Sequence, residues 1–339
     1  MTHPVVLRLS EVCSSVTQSE KAFQNSHTNS SDSMSIRPLS ATLQKLAESE
    51  LYEVPERISE DISHIKEWLQ RQPHLNARTD DQLILSFLRG CKFSLEKCKQ
   101  KLESYYTFKT LLPEYFNNRD PFLSEIQEIL KQGCYWLPLP KSEGSPQVLY
   151  LSTESLNPET ADILNVIKVN FMIFDILMNE DDNFVVSGHQ LFHNLKGVSM
   201  GHVMQVTPSI IKKTSACLHD VYPLRPKGLH FINVPTAFET IVRPFLLGKN
   251  GNRIKVSNGS YFGDLYSVIS KEALPVELGG ENGNLTDLID LWKTKVESYR
   301  EWFLNDAQYC SNESKRVGKP KSVGDVFGID GSFRKLDVD

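Results

Sequence analysis

With 339 residues, 40% of them hydrophobic and 23% charged, the chain has the length for one large or two smaller domains around a sizeable core. A formal net charge of −5 excludes a general nucleic-acid binder, which needs a basic surface to meet phosphates. No apolar run approaches the roughly 18 residues that span a bilayer, so no transmembrane segment is expected.

In chain order, residues 1–40 carry ten serines and little apolar periodicity, the composition of a disordered segment. Its start, "MTHPVVLRLSEVC", has too short an apolar stretch for a signal peptide, and a cytoplasmic protein is expected. From Pro55 the pattern is helical, with Ile58, Ile62, Ile65 and Leu69 forming one stripe. "RTDDQLILSFLRGCKF" predicts a second helix ending at Gly90, and Ser94 starts a third through Leu112. An all-helical domain is therefore expected over 41–120.

Beyond Cys134 strands and helices alternate. "QVLYL" reads as a strand, 158–180 as a long apolar helix, and "FVVSGHQLFHNL" as strand-like. Helix 207–220, strand "GLHFINV", helix 236–247 and the short strand "RIKVS" follow. Such alternation implies an α/β domain over 121–283, with a mainly parallel sheet covered by helices. A closing helix, 284–305, and a polar tail, 306–339, complete the chain.

Charge is uneven. Between Lys196 and Lys255 nine basic residues face only Asp220 and Glu239. A solvated face explains most such runs. An anion site is the alternative, because Arg225, Lys227, Lys249 and Arg253 fall at strand and helix ends. Between these charges Phe238, Ile241, Val242, Phe245 and Leu246 follow i, i+3, i+4, i+7, i+8 spacing. That face suits core packing, or a lid hinged at the glycines of "GKNGNR" over an apolar cavity.

Enzymatic signatures are weak. "GVSMG" (197–201) matches a nucleophile elbow, but no histidine follows His230 and no HGGG-like motif precedes it. No GxGxxG or P-loop is present. Six scattered cysteines form no CxxC pair, and His189, His193 and His202 suit packing better than a metal. No enzyme activity, cofactor or metal is expected.

Three stretches together resemble the CRAL-TRIO lipid-binding family: "RTDDQLILSFLRGCKFSLEKC", the run from "LKGVSMGHVMQ" to "FETIVRPFL", and "ALPVELGGE". The wording is most similar to an insect branch related to the α-tocopherol transfer and cellular retinaldehyde-binding proteins. The resemblance implies a helical domain followed by a bowl-like α/β domain that holds one small hydrophobic lipid beneath a mobile gate helix. By position it places the lipid pocket at Asn170, Phe174, His193, Val198, Met200, Thr214, Cys217, Leu218 and Leu229. Periodicity adds Phe171, Phe231, Phe238 and Val242. It also implies that Arg225, Lys227, Lys249 and Arg253 bind a phosphoinositide headgroup at a membrane surface. Cys91 stands where relatives carry a further basic residue, and Asn194 where an aspartate is usual. The expected function is lipid carriage with phosphoinositide-dependent docking. Within the same fold, the alternatives are a phospholipid-exchange or phosphoinositide-sensing module, and a scaffold whose pocket has collapsed.

Overall fold

The computed structural model describes residues 36–236, 254–257, 263–267 and 269–328. Phe238, Val242, Lys249 and Arg253 lie outside the described residues.

The N-terminal layer is helical. Helix α1 (Ala41–Leu51) precedes the first helix that periodicity predicts. It starts where the Ser40 hydroxyl accepts the Leu43 amide and stops at Tyr52, whose φ of 64° is left-handed. Helices α2 (Ile58–Gln70), α3 (Asp81–Gly90), α4 (Leu95–Leu111), α5 (Pro113–Phe116) and α6 (Ser124–Gln132) follow. Ile62, Ile65 and Leu69 of the predicted stripe are buried. Every residue from Gln82 to Arg89 is buried as well. The buried Arg89 guanidinium is matched by Glu53 at 2.8 Å and Asp182 at 3.2 Å.

Five strands form one sheet in the order β1 (Leu137–Pro138), β2 (Gln147–Ser152), β3 (His189–Asn194), β4 (Pro226–Ile232) and β5 (Ile254–Ser257). The β1 pairing is antiparallel and the other three are parallel, so the sheet is mainly parallel, as expected. Helices α7 (Ile163–Glu180) and α8 (Asp182–Ser187) connect β2 to β3. Helices α9 (Met200–Gln205) and α10 (Pro208–Ala216), with a π-helical turn at Cys217–Val221, connect β3 to β4.

Two boundaries differ from the sequence reading. Helix α7 begins at Ile163 rather than 158, because the Asp162 carboxylate accepts the Leu164 amide and caps it there. The first half of "FVVSGHQLFHNL" is helical: Asp181 caps α8, and Gly188 at φ 80° breaks it one residue before β3. An apolar run as short as Phe184 to Val186 suits a buried helical turn as well as a strand, and the cap decides.

Alternation gives the sheet two distinct faces. His189, Leu191 and His193 of β3 share one, and His189 packs there against Phe174 of α7 with ring centroids 6.1 Å apart. Gln190, Phe192 and Asn194 share the other, where Phe192 stacks flat on His230 at 4.1 Å. Asn194 donates to the Tyr150 hydroxyl at 3.0 Å and accepts from Asn233 at 2.7 Å. An amide both donates and accepts here, which an aspartate at this position could not do.

The C-terminal helices Leu285–Ser298 and Arg300–Asp306 return to the N-terminal layer. Asp306 receives Lys109 Nζ at 2.6 Å and Arg78 Nε at 3.1 Å. Arg119 lies 3.8 Å from the same carboxylate and pairs directly with Asp175 of α7. The polar tail also packs: Leu75 bridges Ser311, Arg316 pairs with Glu103, and Phe327 is buried against Phe108 at 5.2 Å.

Candidate functional site

The α7-side face of the sheet is a continuous apolar wall. Register aligns Leu149, Leu191 and Leu229 in one row across the strands, and Leu151, His193 and Phe231 in the next. Leu149, Leu151, Leu191 and Phe231 are buried, while Leu229 and His193 are half-buried. The His193 ring sits between the Trp136 indole at 5.5 Å and Phe231 at 5.8 Å. Its Nε2 is sealed from solvent without a hydrogen-bond partner, and burial pushes its pKa down to about 3. The ring is therefore neutral at physiological pH.

The residues assigned to a pocket do not all gather on this wall. His193, Leu229 and Phe231 do. Phe171 instead stacks on Phe116 at 5.4 Å and on Tyr222 at 5.3 Å, and Phe174 lies 6.0 Å from Tyr222. Phe171 belongs to the aromatic packing between α7 and the N-terminal helices, and Phe174 reaches only the His189 end of the wall. Asn170 Oδ1 accepts the Trp136 amide at 2.7 Å, and the Thr214 hydroxyl is bonded to that of Tyr115 at 3.2 Å. Cys217 is buried and Leu218 half-buried on the π-helical turn, and Val198 is half-buried before α9. Met200 points outward, 53% exposed, with Met204 one turn on at 76%. Sequence reasoning missed Leu149, Leu151, Leu191 and Trp136. The three leucines stood in strands already assigned, and strand register would have found them.

The mouth of β4 is built by close backbone approach. A Cβ at Gly90 would overlap the Pro223 carbonyl, and one at Gly188 the Arg225 carbonyl. The ends of α3 and α8 therefore grip the segment that leads into β4. Register then shifts between His189 and Gln190, leaving Lys227 as the extra residue of a bulge. This device turns Lys227 out, 36% exposed, while the Arg225 side chain stays only 9% exposed. Arg225 donates to the Val186 carbonyl, and both cations reach the Glu50 carboxylate of α1, Arg225 at 2.5 Å and Lys227 at 2.9 Å. Hydrogen bonding from Lys227 is the largest cause holding the Glu50 carboxyl below its ordinary value.

Two further cations of this stretch are also matched from elsewhere in the chain. Lys196 meets Glu154 at 2.7 Å and Lys213 meets Glu114 at 2.8 Å. Beside Cys91 lies a cleft of about 540 Å³, lined by Lys92, Lys97, Lys101, His219 and Asp220 among others. Lys101 is committed there to the His219 and Tyr222 carbonyls at 2.6 and 2.8 Å.

Ser199 of "GVSMG" does meet a histidine, but as a helix cap. His202 Nδ1 lies 3.0 Å from the Ser199 hydroxyl and also accepts the Ser199 amide at 3.1 Å, and its Nε2 bonds the Leu156 carbonyl at 2.8 Å. With its acceptor nitrogen holding a backbone amide, this imidazole is placed to fix the turn, not to withdraw a proton. Among the described residues no group of three or more His, Cys, Asp or Glu is arranged to hold a metal, and no helix is long and apolar enough to cross a membrane.

Comparison with known proteins agrees with this architecture. A family model described as "CRAL/TRIO domain" matches residues 130–280, and one described as "Pinta-like, UBA domain" matches residues 54–126. The chain is 30% identical over 244 residues to a Homo sapiens protein named "Alpha-tocopherol transfer protein-like", covering 70% of each. It is 28% identical over 243 residues to "Clavesin-1" of Rattus norvegicus, covering 70% of this chain and 68% of that one. A solved structure titled "Crystal structure of Sfh5" aligns with 77% of this chain and 100% of its own, at a TM-score of 0.38 and 14% identity. On its matched domain and its similarity to these relatives, the chain belongs to the CRAL/TRIO family.

Proposed function

We propose that the protein is a non-enzymatic carrier for a small hydrophobic lipid of the retinoid or tocopherol type. The observation that carries this reading is the apolar wall from β2 to β4, broken on β3 by two imidazoles, His189 and His193, each with a buried ring nitrogen that lacks a hydrogen-bond partner. A lipid burying a few hundred Å² there gains several kcal/mol at about 25 cal/mol per Å², before association costs. Apolar contact supplies the affinity. Of the polar candidates, Asn170 and Thr214 are held by Trp136 and Tyr115, which leaves His193 Nε2 to orient a hydroxyl or carbonyl end. The name of the human relative refers to tocopherol transfer, which favours a cargo of this class.

Docking is assigned to a phosphoinositide-bearing membrane through Arg225, Lys227, Lys249 and Arg253, from a cytoplasmic pool and only transiently. Lys227 supports this, being turned outward by its bulge at the start of β4. A headgroup that binds the releasing state more tightly shifts the population towards it.

The test is mass spectrometry of lipid extracted from protein purified out of its native cells. A stoichiometric retinoid or tocopherol is expected. Phosphatidylinositol or phosphatidylcholine instead would transfer the protein to the exchange-and-sensing class. Absence of any bound lipid, together with no affinity for phosphoinositide vesicles, would end the carrier reading.

A further inference from the structure

The cation pair at the mouth of β4 already holds an anion supplied by the chain itself. Glu50 lies in the last turn of α1, 175 residues from Arg225 and 177 from Lys227, and a single oxygen, Oε2, faces both cations. Its placement does not depend on that contact. Leu43, Ala47 and Leu51 pack α1 with Val186 of α8, and Ser40 caps its start. Two residues beyond Glu50, the Tyr52 ring lies under the Lys92 ammonium at 5.6 Å. The end of α1 thus meets three cations, Lys92, Arg225 and Lys227.

One carboxylate oxygen shared by a guanidinium and an ammonium has the geometry of a phosphate oxygen bound between them. We propose that Glu50 is a tethered competitor for the headgroup site, filling the Arg225–Lys227 pair until a lipid phosphate displaces it. This rests on the phosphoinositide reading above and adds its regulation. The carboxylate carries one negative charge, whereas a phosphomonoester carries about 1.5 to 2 near pH 7. A phosphorylated headgroup therefore gains more from the same two cations than the group it replaces. Release needs no unfolding, because Glu50 is 39% exposed and its side chain can swing outward while α1 stays packed. Arg225 keeps the Val186 carbonyl when Glu50 leaves. The tether sets a threshold: a weakly charged surface does not open the pair, and a densely phosphorylated one does.

The experiment compares the full chain with Glu50→Gln, Glu50→Asp and Lys227→Ala on phosphatidylcholine vesicles with and without phosphatidylinositol 4,5-bisphosphate. Glu50→Gln is expected to bind the phosphoinositide vesicles about fivefold more tightly, the scale of a half-exposed ion pair. Glu50→Asp, which keeps the charge but shortens its reach, should gain less, and it covers the case in which the amide perturbs folding. Binding to plain phosphatidylcholine should not change, and the melting temperature of Glu50→Gln should fall only slightly, by the ion pair it loses. Equal or weaker binding by both Glu50 variants, with Lys227→Ala still impaired, would overturn the competitor and leave the headgroup reading standing. An equal gain on plain vesicles would overturn it too. If Lys227→Ala binds like the wild type, the headgroup reading itself fails, and the competitor with it.

Discussion

His189 and His193 hold the neutral form because burial pushes both pKa values down to about 3. An unfolded histidine titrates near 6.5, so between those values the unfolded chain takes up protons that the folded chain refuses. The stabilisation is complete above about pH 6.5 and is lost as pH falls below it, at up to roughly 1.4 kcal/mol per pH unit for the buried His189 ring and less for the half-buried His193. Melting temperature should therefore drop between pH 7 and 5, and His193→Phe should flatten that slope. The two cations of the β4 mouth separate in the same way by burial. Lys227→Ala should weaken phosphoinositide-vesicle binding several-fold with a stability change within about 0.5 kcal/mol. Arg225→Glu should lose binding and lower the melting temperature as well, since it sets a second carboxylate beside Glu50 and the Val186 carbonyl. Composition identified both positions as cationic. It could not show that one is nearly enclosed, because the residue enclosing it lies 175 positions away.

Elements were legible where a period or a cap was. The stripe Ile62, Ile65 and Leu69 placed α2, and continuous apolar runs placed the parallel strands. Helix α7 was legible as a helix but not in its orientation. It is buried on every side from Val166 to Met178, so its sequence marks no face, and Phe171 turns to the aromatic packing while Phe174 meets the sheet wall only at His189. Helix α1 lacked a long apolar stripe and was read only as part of the helical domain; its three buried residues find their partners on α8. The glycine grip on the β4 segment makes a sharper prediction. Gly90→Ala drives a methyl group into the Pro223 carbonyl, and a helix-favouring substitution should here destabilise by about 1–3 kcal/mol. Because the gripped segment carries Arg225 and Lys227, denaturant titration and vesicle binding should report the loss together.

At the scale of the whole molecule, a buried charge cluster joins the first helices, the α/β domain and the C-terminal segment. Burial pushes the Asp306 carboxyl up, but Lys109 and Arg119 outweigh it and hold the group below the ordinary carboxylate range. Asp306→Ala strands the Lys109 ammonium in the core, while Arg119 keeps Asp175, and a loss of about 3–5 kcal/mol is expected in thermal or denaturant unfolding. The helical layer then receives its last covering from Arg316 on Glu103, Ser311 beside Leu75, and Phe327 on Phe108. All of these partners come from beyond residue 306. A ribosome makes the N-terminal helices first, at about 5–20 residues per second, so these helices wait many seconds for their final contacts. The first layer to emerge is thus among the last to be completed, and a nascent chain halted before residue 306 should leave it open to chaperones and proteases.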